Sequence, residues 1–411
     1  MSLLGYLVIF LGGLLAVYSL YWGFLLVVGG DYIRKFRQRE VKLDKPFYLP
    51  FVSVIVAAKN EEKVIRRLVS SLQTLNYDPS RLEFIFSESG STDNTRSILF
   101  ALAEREPRMK VVTSSIAGKG NALNEAIKVA RGEVFFFLDA DCVPEKDFLL
   151  KAAEEYNKGN KILVGYYRTI NATQSIWSRL AVFEDFLWRV MGAGKAKLNL
   201  SIPVAGPCTV ISRDAIEAVG GFRNTLTEDI ELWMRLLKAG YVGKYVDAYV
   251  WLEAPVTLQV LLRQRIRWYR GYLETALMHL DIVKHAPLSQ AADALLMLST
   301  PFFAMLSLLS YAVSMLSLPA LPTNISILLF VGWFIGSNLL GLFLLNIGVM
   351  FILGNDGSEL ARMSPLVYLY TAVLSLSSSI AILNMAFSRP RKWIKTERTG
   401  YVDPIFAKLR R

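Results

Sequence analysis

An α/β domain built on a mainly parallel sheet, joined to membrane-spanning helices, is the fold class the sequence predicts. Three observations predict it. Between residue 50 and about residue 251, short apolar strand patterns alternate with helical periodicity, as in β-α-β units. Residues 3 to 28 contain no charge and are long enough to cross a bilayer. Residues 292 to 318, 325 to 353 and 365 to 387 form three further apolar stretches with at most one charged residue each. The 411 residues are 53% apolar, which exceeds what an ordinary soluble domain needs.

The first apolar stretch is expected to be a span and not a cleaved leader. It has no basic amino-terminal region and runs into Asp31 and basic residues, with no small-residue cleavage site. The net charge of +11 is concentrated beside the spans. Arg34, Lys35, Arg37, Arg39, Lys42 and Lys45 follow the first, while Arg389, Arg391, Lys392, Lys395 and Arg398 follow the last. That placement is the positive-inside signature and puts both flanks on the cytoplasmic face. It argues against nucleic acid as a partner. Two cysteines, Cys142 and Cys208, and two histidines, His279 and His285, exclude a disulfide framework, a Cys/His zinc site and a Ser-His-Asp arrangement.

The expected organisation is a transmembrane helix over 1–30, a basic linker over 31–50 and an α/β domain over 51–254. An amphipathic interfacial helix over 255–290, about three spans over 291–388 and a basic tail over 389–411 follow. Within the domain, Val52 to Ala58 predicts a strand and Glu61 to Leu75 a helix. Glu83 to Ser87 is a second strand, ending at Glu88-Ser89-Gly90-Ser91-Thr92-Asp93, where Ser91 or Thr92 is positioned to cap the next helix and Asp93 suits its positive end. Lys110 to Ser114 is a third strand. Gly118-Lys119-Gly120-Asn121 then opens a helix that runs to Ala130, and its start suits an anion.

Glu133 to Asp141 is an unbroken apolar strand that delivers Asp139 and Asp141 to a sheet edge. One strand repeat apart, these carboxylates either converge on a divalent cation or cap a loop. Lys161 to Ile170 is a further strand. Ile176 to Met191 is an aromatic helix around Glu184 and Asp185, lying either at the membrane surface or inside the domain. Gly206-Pro207-Cys208-Thr209 interrupts the chain as a turn, and Thr227 caps a helix opened by Glu228 and Asp229. These two acids serve either the cap or a base. From Val256 to Leu280 apolar residues mix with Arg263, Arg265, Arg267 and Arg270, as in a helix at a bilayer interface with Arg263 and Arg270 at lipid headgroups.

The succession of D-x-D at Asp139 and Asp141, T-E-D at Thr227 to Asp229 and Q-x-x-R-W at Gln264 to Trp268 resembles the membrane-embedded members of glycosyltransferase family 2. That group includes cellulose, chitin, hyaluronan and poly-N-acetylglucosamine synthases. The resemblance covers roughly residues 50 to 275. It implies a GT-A-like, Rossmann-related, nucleotide-sugar-binding domain on the cytoplasmic face of a plasma-membrane, multi-pass protein. Glu88 would contact the nucleotide base, with Ser89 where a second aspartate often stands, and Lys119 would lie near the nucleotide. Asp139 and Asp141 would hold the diphosphate through Mg2+ or Mn2+. Asp229, with Glu228 beside it, would act as general base. Gln264, Arg267 and Trp268 would meet the acceptor and the diphosphate, and Gly206 and Cys208 would border the acceptor. Trp268 is otherwise an interfacial anchor.

Trp393, Thr396 and Arg398 resemble the W-x-x-T-x-R-x-G element implied to close over the nucleotide. A cytoplasmic tail conflicts with one span before the domain and three after it. Either one carboxyl-side segment is broken or re-entrant, with Pro301 the candidate, or the span count is wrong.

The implied activity is inverting transfer from a cytoplasmic nucleotide sugar, a UDP-sugar, onto a growing polysaccharide, processive with coupled translocation. The alternative is a single transfer onto a lipid acceptor, and a different class is a membrane scaffold or transport component with a degenerate domain. The chemistry suits the roles. Displacing a nucleoside diphosphate builds negative charge that an arginine fork stabilises, and a carboxylate base contributes on the order of a hundredfold or more.

Overall fold

Alternation along β4 (Val134–Asp139) sets up the core, because Phe135 and Phe137 enter one apolar cluster while Phe136 and Leu138 enter another on the opposite face. β1 (Val52–Ala58) alternates likewise, with Ile55 on the first face and Val54 and Val56 on the second. The computed structural model describes residues 3–37, 48–204, 206–317, 364–390 and 395–403. The strands form one eight-stranded sheet in the order β3-β2-β1-β4-β7-β6-β8-β5. The remaining strands are β2 (Leu82–Glu88), β3 (Met109–Thr113), β5 (Val143–Pro144), β6 (Ile162–Thr169), β7 (Thr209–Ser212) and β8 (Gly243–Leu252).

The expected parallel pairing holds across β3-β2-β1-β4 and again between β6 and β8, and fails at the other three junctions. β7 pairs antiparallel with both β4 and β6, and β5 antiparallel with β8. β7 has only four residues, too few for a pattern that distinguishes parallel from antiparallel. On the parallel side Ala58 lies opposite Glu88 and Ala57 opposite Asp139, so the carboxyl ends of β1, β2 and β4 share one edge. Ligands collect at such an edge.

α1 is Leu3–Arg37, α2 Ile65–Leu72, α3 Thr95–Ala103, α4 Lys119–Val129 and α5 Phe148–Asn157. α6 is Ile176–Lys197, α7 Arg213–Ala218, α8 Glu228–Lys238 and α9 Leu258–Met278. α4, α6 and α8 bury Leu123, Phe183 and Trp233 against the Phe135 face, while α2 and α5 bury Leu68 and Phe148 against the other. The expected caps differ in detail. α3 begins at Thr95, and it is Asp93 that accepts from the Thr95 amide at 2.9 Å. Ser91 and Thr92 instead bond to Asn60 across the loop. Thr227 occupies the cap position of α8 but makes no capping hydrogen bond.

Among the described residues two helices are long and apolar enough to cross a membrane, over Phe10–Arg34 in α1 and Leu369–Ala386 in α12 (Ser364–Ala386). A third candidate is the pair α10 (Leu288–Leu298) and α11 (Thr300–Ser317), bent by 52° across a short break beside Pro301. This is the broken segment expected there, since proline suits the first turn of a new helix and cannot continue an old one. The expected span over 325–353 lies outside the described residues. α9 is less superficial than its amphipathic pattern suggests, burying Leu261, Gln264, Arg265 and Tyr269 as it packs along α12. Arg263 remains exposed, but Arg270 pairs with Glu274 at 2.8 Å.

α1 crosses α6 at two glycines. A Cβ at Gly29 would lie 1.9 Å from the Val190 carbonyl oxygen, and one at Gly194 would lie 2.4 Å from that of Leu25. Gly194→Val is therefore expected to force the helices apart, at a cost of about 1–3 kcal/mol or more. A lowered melting temperature in detergent checks this.

Candidate active site

The shared strand edge opens into two adjoining cavities, of about 440 and 160 Å3. Lys119, Asp139, Asp141, Arg267, Thr396 and Arg398 line both. Lys119, the first residue of α4, is the hub, with its Nζ 2.8 Å from Asp139 Oδ1 and 2.9 Å from Glu228 Oε1. Burial works against its ammonium, but Asp139, Glu228 and Asp229 outweigh that and hold its pKa well above the usual value. Burial likewise opposes the Asp139 carboxylate, yet Lys119 holds its pKa below the usual value.

Asp141 is 3% exposed. Its Oδ2 accepts from the Glu253 amide at 3.1 Å and lies 3.3 Å from Arg398 Nη2. Burial raises its pKa, against the pull of Arg398. Asp139 and Asp141 thus present two adjacent carboxylates to the cavity, a donor set of the hard-oxygen type that Mg2+ and Mn2+ prefer. Among the described residues no group of three or more His, Cys, Asp or Glu side chains is disposed to hold a metal. Two carboxylates, already paired with Lys119 and Arg398, would need further oxygen ligands to hold a divalent cation.

Asp229 opens α8 on the wall of the smaller cavity, where its Oδ1 accepts from the Ile230 amide at 2.8 Å. Burial, reinforced by repulsion from Glu228 and countered by Lys119, pushes its pKa up to about 7. Gly206 faces it with φ +71°, and a Cβ there would come within 3.3 Å of Asp229 Oδ2. Glycine at that turn keeps the approach to the carboxylate open. Arg267, on α9, borders both cavities, donates to the Leu226 carbonyl at 3.2 Å and leaves a buried Nε without a partner. Burial lowers its pKa, against the attraction of Glu228, Asp229 and Asp139.

The structure brings together most of the residues expected from sequence, with exceptions. Glu88 is fully buried and lines neither cavity, because its carboxylate turns back to the Ser91 amide and holds its own loop. Ser89 borders the larger cavity in its place. Cys208 is buried behind the wall formed by Gly206 and Pro207, where its carbonyl accepts from the Gly165 amide. Trp268 lines the cavity, but the Arg265 guanidinium lies 4.2 Å from its ring centroid and covers one face. Trp393 lies outside the described residues. Thr396 and Arg398 reach the site, with Thr396 accepting from Gln264 at 3.4 Å.

Sequence reasoning missed what anchors the tail. Glu253, just beyond β8, accepts from the Thr399 amide at 2.8 Å and the Gly400 amide at 3.1 Å while pairing with Arg67 at 2.9 Å. Glu61 pairs with Lys395 at 3.0 Å, and burial, against that partner, pushes its pKa up to about 7. The signal for Glu253 was its place at the carboxyl end of a strand.

Residues 53–220 match the family model described as glycosyl transferase family 2. A probable glycosyltransferase of Bacillus subtilis, YdaM, is 35% identical over a 234-residue alignment that covers 54% of this chain and 55% of the relative. A β-monoglucosyldiacylglycerol synthase of Nostoc sp. is 28% identical over 66% of this chain and 61% of its own length. A poly-β-1,6-N-acetyl-D-glucosamine synthase of Staphylococcus aureus is 29% identical over 63% of this chain and 64% of its own length. The chain thus spans less than two thirds of the length of each of these relatives. Among solved structures, a mannosyltransferase from Pyrobaculum calidifontis in complex with GDP-Man and Mn2+ aligns with a TM-score of 0.60 at 19% identity, covering 92% of this chain and 100% of that one. The likeness establishes a GT-A-like glycosyltransferase fold.

Proposed function

We propose that this chain, whose residues 53–220 match the glycosyl transferase family 2 model, is a membrane-embedded inverting glycosyltransferase. It moves a sugar from a cytoplasmic nucleotide sugar, a UDP-sugar, onto a growing polysaccharide at the plasma membrane. The observation that carries this reading is Asp229, a carboxylate of raised pKa on the wall of the smaller cavity, beside Lys119, Asp139 and Arg267, which that cavity shares with the larger one. The nucleotide occupies the larger cavity beside Ser89 and Lys119, and the acceptor occupies the smaller one.

Asp229 takes the proton of the attacking hydroxyl as it approaches the anomeric carbon, and Glu228, fixed on Lys119, keeps that carboxylate basic. Arg267 meets the charge that grows on the departing diphosphate. Asp139 and Asp141 would hold Mg2+ or Mn2+, which supplies charge neutralisation of the diphosphate when bound. Arg398 and Lys395 draw the tail across the same pocket. Tail contacts with the domain require an even number of membrane crossings between α9 and the tail, which the bent α10–α11 pair helps to reconcile with the apolar stretches. Addition of one sugar to a lipid is the second reading, favoured by the likeness to the β-monoglucosyldiacylglycerol synthase.

Membranes carrying the chain, incubated with labelled UDP-, GDP- and other nucleotide sugars and manganese, are expected to transfer label from one donor. No transfer from any donor contradicts the proposal. Turnover is expected to rise with pH through about 7, because Asp229 must lose its proton to act and its pKa is raised to that value. A profile flat between pH 5.5 and 8 contradicts this assignment.

A further inference from the structure

Each carboxylate of the D-x-D pair faces a cation of the chain's own. Asp139 takes Lys119, a residue of the same domain, at 2.8 Å. Asp141 takes Arg398, which belongs to the tail, at 3.3 Å. The side chains of Asp141 and Arg398 are 3% and 15% exposed, so solvent and salt screen the pair little.

The backbone of the tail is fastened without the Arg398 side chain. The Glu253 carboxylate accepts from the Thr399 and Gly400 amides, the Asp403 amide donates to the Ile170 carbonyl at 3.1 Å, and Lys395 pairs with Glu61. Gly400 turns at φ +75°, and a Cβ there would lie 3.0 Å from the Lys63 carbonyl oxygen, so the tail passes close against the domain. Between these anchors the Nη1 of Arg398 donates to the Glu253 carbonyl while its Nη2 reaches Asp141. The fold itself presents this guanidinium to the carboxylate.

A divalent cation at Asp139 and Asp141 needs those same oxygens and repels a guanidinium lying beside one of them. Lys119 has a second carboxylate, Glu228 at 2.9 Å, to keep it in place when Asp139 is engaged elsewhere. Among the described residues Arg398 is paired with Asp141 alone.

Resting on the transferase reading above, we infer that Arg398 competes with the divalent cation for Asp141, so that the tail keeps this carboxylate neutralised until a cation arrives with the phosphate oxygens of the nucleotide. The two occupants of Asp141 exclude one another. A cation alone meets that competition without the oxygens that would complete its coordination, so it binds together with the nucleotide and not ahead of it.

The test measures Mn2+ binding itself, from the electron paramagnetic resonance of the free ion, with the full chain in phosphatidylcholine nanodiscs and no nucleotide. Arg398→Ala and Arg398→Gln are expected to bind Mn2+ about tenfold tighter or more than the unaltered chain, in line with the coupling of close charge pairs. Glutamine keeps a donor for the Glu253 carbonyl and decides the matter if the alanine variant does not fold. Arg398→Lys keeps a cation beside Asp141 and is expected to stay near the unaltered affinity. Adding Asp141→Asn to Arg398→Ala is expected to abolish the gain, which assigns the ion to this carboxylate.

An affinity unchanged or lowered in both the alanine and glutamine variants overturns the inference, as does a gain that survives Asp141→Asn. Repeating the titration with UDP separates the two levels. Mn2+ bound in the presence of UDP, with no gain in the Arg398 variants without it, refutes the competition alone. No Mn2+ bound by any of these proteins, with or without UDP, refutes the cation site of the transferase reading with it.

Discussion

Asp229→Asn is expected to lower sugar transfer by roughly 10²–10⁴-fold, the range a positioned general base contributes, with nucleotide binding retained. The amide is close in size and keeps an oxygen for the Ile230 amide, so the start of α8 is preserved. Stability is expected to hold or rise. The folded pKa of Asp229 is raised above its value of 3.8, so the ionised group costs folding stability that is progressively lost as pH rises from about 4 to 7. Asparagine carries no such cost. Thermal unfolding at pH 7 beside turnover therefore separates a lost base from a damaged fold. Normal turnover by this variant contradicts the mechanism.

Arg267→Ala is expected to cost roughly 10²–10³-fold in turnover, comparable to removing a preorganised donor from a developing anion. The guanidinium borders both cavities and has a buried Nε without a partner, so a phosphate oxygen arriving beside it would meet a donor already in place. Arg267→Lys keeps the charge but loses the planar fork and is expected to recover only part of the activity. Single-turnover rates with saturating donor check both variants. If lysine restores full activity, charge alone suffices and the bidentate role fails.

Much of the site was legible in the sequence because it lies where strands end and helices begin. Phe135 to Leu138 announced a strand buried on both faces, and the two aspartates after it fell at the sheet edge as its pattern implied. Lys119, Glu228 and Asp229 were legible as residues at helix starts, while their grouping at one site was what the family resemblance implied. The break beside Pro301 was one of two alternatives, raised by proline chemistry and by the conflict between a cytoplasmic tail and the span count.

Residues whose placement depends on long-range packing were not legible. Glu88 sat at the right strand end, but local hydrogen bonding turned its side chain into the loop. Cys208 lies two residues beyond Gly206, and its own left-handed conformation, φ +79°, accompanies a turn that buries it behind the wall. Glu253 carries no motif. Its role arises because β8 meets the tail, a contact separated by 146 residues. β7 was too short to reveal its direction.

The central claim is one displacement at the anomeric carbon, driven by Asp229. The configuration of the new linkage tests it most directly. With the α-linked donor that labels membranes, nuclear magnetic resonance of the isolated product is predicted to show a β-linkage. An α-linkage would contradict the account, because a single in-line displacement by a hydroxyl that Asp229 deprotonates must invert the anomeric centre.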